Sequence, residues 1–183
     1  MTKTFVRVFT IVDFEEEEIW LREQSKKGWK LVKMVPPFLY TFEQCEPEDV
    51  IYRLDFKNGD KPADYMQMME DFGWEYFGEC LGWLYFRKPA SEIQSEEDGE
   101  LFSDAVSKID QLSKIVRTRM MPMICIFLCA VVPNALRYLD GEYVGPWGQA
   151  FGFIFGVLFG LYMVMFIYFA IKLKKLRNRY REN

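Results

Sequence analysis

The chain has 183 residues, no histidine, four cysteines and a net charge of −4. That length holds one small soluble domain and a membrane anchor, and the missing histidine removes the commonest general base, metal ligand and pH switch. The charge is divided: residues 1–119 carry 16 Lys+Arg against 24 Asp+Glu, an acidic front that argues against nucleic-acid binding, and residues 120–183 carry 7 against 3.

Met1–Thr10 holds no secretory signal, and a strand is expected over residues 3–12. Asp13 is the expected N-cap of a helix whose Glu15–Glu18 suit the positive end of its dipole. Consecutive helical residues point in different directions, so these four carboxylates are read as a solvated first turn and not as a metal site. Gly28 stops the helix, Trp29–Met34 returns as a strand, Pro36-Pro37 turns, and Phe38–Glu43 makes the third strand. A strand over 50–56, a turn at Asn58-Gly59-Asp60, a helix from Pro62 to Phe72, a cap at Gly73 and strands at 74–79 and 82–88 repeat that order. A shift of 45 residues lays Phe5–Phe9 over Val50–Leu54, Trp20 over Tyr65, Gly28-Trp29 over Gly73-Trp74 and Phe38-Leu39-Tyr40 over Trp83-Leu84-Tyr85, without a gap. The expected fold is therefore α+β over residues 1–90: a duplicated β-α-β-β unit with antiparallel sheet and halves at about 3–45 and 48–90.

Trp20, Trp29, Trp74, Trp83, Tyr40, Tyr52, Tyr76 and Tyr85 crowd this domain. The commoner reading is that they fill a small core. The sharper reading is a cleft on the pseudo-dyad of two equivalent halves. There Tyr52, Trp74, Trp83 and Tyr85, with Glu75 and Glu79, would hold an organic cation. Cys45 and Cys80 are isolated, Cys125 and Cys129 lie four apart in an apolar helix, and none has zinc or redox spacing, so no cofactor, metal or catalytic residue is assigned.

Residues 91–119 read as an acidic linker followed by an amphipathic helix. Phe102, Ala105, Ile109, Leu112 and Val116 form its short heptad seam. Two membrane helices are expected at about 120–139 and 147–171. Pro133 kinks the first, Asn134 is placed to bond to the second span, and Arg137 snorkels at an end. Gly148, Gly152, Gly156 and Gly160 lie on one face of the second span as a helix–helix contact. Two readings stand open for them, a homodimer or, preferred, packing of the two spans within one hairpin. Arg117 and Arg119 before the first span, and six Lys or Arg after the second, put both termini in the cytoplasm and draw the tail to anionic lipid.

The run Phe9-x3-Asp13-x3-Glu17-Glu18-x-Trp20-Leu21, then Gly28-Trp29-x-Leu31, resembles an uncharacterised family of Gram-positive membrane proteins, a domain of unknown function. Its genes often lie beside PadR-type regulators. The resemblance implies C-terminal spans and a PadR-like partner, and carries no catalytic residue. The duplicated pattern also resembles GyrI-like ligand-binding domains, which implies a central ligand cleft. The expected function is a regulatory or sensory membrane protein whose soluble domain binds a small ligand or a protein. The alternative is an accessory protein that docks a PadR-like regulator or a transporter without a ligand. An enzyme is the third reading; it would need carboxylates or tyrosines of displaced pKa in a pocket.

Overall fold

The computed structural model describes residues 1–35, 38–57, 60–95, 97–101 and 105–182. They form two compact units, Met1–Gln111 and Leu112–Asn183. The expected turns at Pro36-Pro37 and Asn58-Gly59, and Phe102 of the heptad, lie outside the described residues.

The first unit runs β1 (Thr2–Val6), α1 (Phe14–Lys26), β2 (Trp29–Val35), β3 (Leu39–Gln44), β4 (Val50–Phe56), α2 (Ala63–Asp71), β5 (Glu75–Cys80) and β6 (Trp83–Pro89). It holds two three-stranded antiparallel sheets, ordered β1-β3-β2 and β4-β6-β5, so both halves share one connectivity. The first strand ends at Val6, earlier than expected. The chain then turns: Asp13 N–H donates to Thr10 O, while the Asp13 carboxylate accepts from Thr10 N–H and Oγ1. That carboxylate makes no cap bond to α1.

Both helices exit through a glycine in the left-handed region, Gly28 and Gly73, each at φ +79°. A side chain there is strained at either site. The surroundings differ. A Cβ on Gly28 would lie 2.8 Å from the backbone oxygen of Cys45, whereas one on Gly73 would meet the flexible Lys88 Cε at 3.4 Å. Gly28→Ala is therefore expected to cost about 2–3 kcal/mol, and Gly73→Ala about 1. Urea unfolding of the two variants followed by tryptophan fluorescence checks the order.

Strand registers correct the gap-free repeat. The bulges match at a shift of 45: pairing slips between Leu31 and Lys33 in one sheet and between Tyr76 and Gly78 in the other. Leu39 corresponds to Trp83, however, because Val35 pairs with Leu39 and Cys80 with Trp83. Phe5, opposite Tyr40, corresponds to Asp55, opposite Leu84. The second half has the shorter hairpin connection and a helix of 9 residues against 13.

The halves are alike in topology but not in environment. Four of the five β1 residues are exposed, whereas five of the seven in its counterpart β4 are buried. Halves meeting across a dyad would be covered alike, so the twofold cleft expected from the repeat is not the arrangement formed. Instead α1 runs beside the open edge of β4 and blocks it with side chains. Glu18 Oε1 accepts the Leu54 N–H at 2.8 Å, and Ser25 Oγ exchanges bonds with Val50 N and O at 3.4 Å. Glu18 and Ser25 are seven apart and share a helix face. This covers an edge that would otherwise template strand addition.

The two cores follow from these helices. Trp20 of α1 sits edge-on among Phe5, Tyr40 and Phe42. On the second sheet, Ile51, Met69, Trp74, Leu84 and Phe86 cluster under α2. The acidic segment after residue 90 is not a free linker. Ile93 and Leu101 pack on that second cluster, Asp98 pairs with the buried Lys88 at 2.9 Å, and Gln111 Nε2 donates to Leu54 O at 3.3 Å.

The second unit is helical. A run over Ser107–Leu139 begins within α3 (Ala105–Ile115), which starts in the first unit, and continues through a π-turn (Val116–Met120), α4 (Met121–Ile126), a second π-turn (Phe127–Val131) and α5 (Val132–Leu139). Each widened turn lies just before a proline, Pro122 or Pro133, which lacks an N–H and collides with the carbonyl four residues back. The first π-turn moves the buried seam onto Ile115 and Met120, leaving Val116 half-buried. Asn134 bonds to Ala130 O of its own helix and to Tyr143 Oη, not to the second apolar helix. Arg137 pairs with Glu142 at 3.0 Å. The second apolar helix is α6 (Gly145–Glu182), 38 residues long. Phe127 stacks on Tyr162 and meets Phe159 and Phe166, which holds the two helices together.

Candidate functional site

Strand register decides where the six candidate residues go. Tyr52 pairs with Arg87, Glu75 with Arg87, and Phe56 and Cys80 with Trp83. Paired residues share a face, so Tyr52, Glu75, Trp83 and Tyr85 lie on the face of the second sheet away from α2. Glu79, opposite Leu84, lies on the α2 face and pairs with Lys61 at 2.9 Å. Trp74 is in the α2 cluster. Trp83 is sealed between Phe14 and Phe56, with ring centroids 4.9 and 5.2 Å away. The aromatics thus fill core for the most part. The second sheet needs more of them than the first because its second face is also interior.

Two of the six, Tyr52 and Glu75, come together at a cleft. It holds about 120 Å³ of space and is lined from the first half by Ser25, Lys30 and Cys45, and from the second by Glu48, Tyr52, Glu75 and Arg87. Arg87 grips Glu75 with Nε at 2.7 Å and with Nη2. The guanidinium holds the Glu75 carboxyl below the usual carboxylate range. Burial pushes the Tyr52 phenol up, against the pull of Arg87. The segment between Cys45 and Glu48 is pinned by main chain: Cys45 N–H donates to Gly28 O at 2.9 Å and Glu48 N–H to Ser25 O at 3.2 Å. Arg22 clamps Asp49 with two bonds of 2.6 and 2.8 Å. Lys30, Glu48 and Arg87 were not picked out from the sequence. The usable signal was the register that sets Arg87 between Tyr52 and Glu75.

A second cluster is buried where α1 meets both sheets. Glu17 Oε1 accepts hydrogen bonds from Tyr40 Oη at 2.8 Å and from Tyr85 Oη at 2.7 Å. Glu17 is only 6% exposed, and Glu18 is also largely covered, so the solvated first turn holds for neither. Burial raises the Glu17 pKa; the two tyrosine bonds oppose this and the charge of Asp13 adds to it. Burial likewise pushes Glu18 up to about 8, against Arg53 and the Leu54 N–H. Burial and then Glu17 push the Cys80 thiol up to about 11 and both phenols higher still. A thiol so placed stays protonated at neutral pH and is a poor nucleophile. The cluster is thus a hydrogen-bonded lock between the sheets. The 45-residue shift had laid Tyr40 over Tyr85. Their strand positions are not equivalent, yet both reach one carboxylate.

In the second unit, Tyr138 and Tyr143 occupy the glycine ladder. A Cβ on Gly152 would overlap the Tyr138 ring, with Cγ 2.9 Å away, and would lie equally near Tyr143 Cδ2. A Cβ on Gly148 would lie 3.3 Å from the Tyr143 backbone, one on Gly156 would lie 3.8 Å from Tyr138, and one on Gly160 would meet open space. Gly148, Gly152 and Gly156 of the ladder therefore lie beside tyrosines of the same unit.

A family model described as a protein of unknown function (DUF2812) matches residues 13–126. That span runs from the start of α1 through the first unit and into the first apolar helix. No curated protein and no solved structure matches the chain.

Proposed function

Since the chain belongs to the DUF2812 family of unknown function, we propose from its own residues that it is a membrane-anchored regulatory or sensory protein, whose first unit binds a small ligand or a protein partner. What carries the anchor is exposure. Ser107–Leu139 and Gly145–Arg181 are long and apolar enough to cross a bilayer, and only 22% and 6% of their most apolar windows are buried. A core helix of a soluble protein would be mostly covered. Here Phe151, Leu161, Val164 and Ile171 of α6 are each more than 60% exposed. The 22 uncharged residues from Ala150 to Ile171 span about 33 Å as a helix, against about 30 Å of hydrocarbon. Basic residues flank both helices on the sides away from their short connection, which orients both termini to the cytoplasm. Alkaline carbonate washing of membranes tests this: the chain stays in the pellet. Release into the supernatant would remove the anchor.

The cleft beside Tyr52 and Glu75 supports the ligand-binding version. The full chain in detergent micelles, screened by thermal shift against a broad panel of metabolites, should be stabilised by at least one compound, because a ligand that binds the native state raises Tm. A panel without any shift would leave only the partner version. That version rests on Val6 at the end of β1 and Val8 just beyond it, 72% and 69% exposed where the counterpart strand β4 is covered. Docking of a PadR-like regulator or a transporter there is weakened by Val6→Lys and Val8→Lys.

A further inference from the structure

We propose that the cleft between the halves of the first unit takes a small zwitterion of the amino-acid class, its carboxylate on Lys30 and its ammonium on Glu48. This rests on the ligand-binding reading and gives that ligand a chemistry. Three observations support it.

Size comes first. About 120 Å³ is roughly the share of four waters, far below the several hundred Å³ of pockets that hold drug-sized ligands. A bulky lipophilic cation does not fit, and a molecule of about five to eight heavy atoms does.

Charge comes second. The lining carries two cations and two anions. Arg87 and Glu75 hold each other through the two-bond grip, Lys30 adds to the pull on Glu75, and the buried Arg87 Nη1 has no hydrogen-bond partner among the described residues. Lys30 comes from β2 and Glu48 from the segment after β3, both line the cleft, and among the described residues neither is in an ion pair. A lone anion would leave Glu48 facing it, and a lone cation would face Lys30. A ligand with both charges meets both residues with the right sign. Tyr52 at the cleft adds a phenol that burial keeps protonated, and Ser25 adds a hydroxyl.

Rigidity comes third. The Glu48 wall is tied to the end of α1 through Ser25 O and Gly28 O, and the Arg22–Asp49 clamp follows it in sequence. A site held before the ligand arrives loses less entropy on binding.

The experiment uses the full chain in dodecylmaltoside micelles, with glycine, alanine and serine as probes at up to 10 mM. Acetate and methylammonium serve as half-molecules, and the broad metabolite panel is run beside them. At least one zwitterion should raise Tm by about 2 °C or more, both half-molecules should fail, and Lys30→Gln and Glu48→Gln should each abolish the shift. Lys33→Gln, an exposed lysine of the same strand outside the cleft lining, should keep it. The assignment is overturned if no zwitterion shifts Tm, if acetate alone shifts it as much as glycine, or if the shift survives both cleft variants. Stabilisation by some other panel compound, with none by zwitterions, would sink this assignment and leave the ligand-binding reading standing.

Discussion

Replacing Glu17 with alanine should lower the unfolding free energy of the first unit by about 2–4 kcal/mol, a large share of what a domain of this size has. The cost comes less from the lost carboxylate than from what it leaves behind. Tyr40 and Tyr85 point their hydroxyls at one oxygen in a buried site, and both would lose their acceptor. Glu17→Gln keeps an acceptor in the same place and should cost less than about 1 kcal/mol near neutral pH. The charge gives the pair its pH signature. The folded pKa of Glu17 lies above the ordinary 4.5, so the folded state holds that proton more tightly than the unfolded one. Its stabilising contribution is complete below about pH 4.5 and is lost as pH rises through the folded value. Glu18 acts in the same direction up to about 8. Urea unfolding of the full chain in micelles should therefore show stability falling between pH 4.5 and about 8, with a shallower fall in Glu17→Gln. An alanine variant as stable as the parent would mean that the lock does not join the sheets.

Gly152→Ala is expected to be the most damaging single methyl in the second unit. The added Cβ would enter the Tyr138 ring, and Tyr143 blocks the other side. Overpacking of this kind costs about 1–3 kcal/mol. Gly160→Ala adds the same methyl four residues on, in open space, and should leave stability unchanged or slightly higher because alanine favours helix. Thermal melting in micelles separates the two: a drop of several degrees for Gly152→Ala and none for Gly160→Ala. Equal losses would point to a helix–helix contact along the whole ladder. A tyrosine-specific control is Gly152→Ala combined with Tyr138→Ala, in which the overlap is relieved and part of the loss returns.

Much of the element order was legible because it is written in local signals. Gly28 and Gly73 stop their helices through a backbone region that other residues avoid, and alternating strands flank them. Register was not legible. A one-residue change in a hairpin moves every later side chain, and the described structure shows such a change between Leu39 and Trp83. Burial of Glu17 and Glu18 was not legible either. A run of four glutamates at a helix start looks solvated unless two distant tyrosines and the edge of β4 are known to lie over it. The aromatic surplus was read as ambiguous between core and cleft, and packing resolved it unequally. Trp74, Trp83 and Tyr85 went to interior contacts, and Tyr52 went to a cleft whose charges come from Lys30, Glu48, Glu75 and Arg87. Prolines 122 and 133 announced irregular helix, but whether a helix kinks or widens depends on how neighbouring carbonyls are met.

The central proposal is that the two long apolar helices cross the membrane and leave both ends of the chain in the cytoplasm. Reporters on both ends of the full chain test it most directly. Green fluorescent protein, which is dark outside the cytoplasm, and alkaline phosphatase, which is active only there, are fused in turn before Met1 and after Asn183. The account predicts fluorescence and no phosphatase activity at both ends. Phosphatase activity at Asn183 with fluorescence at Met1 would contradict it, since an odd number of crossings would then separate the ends.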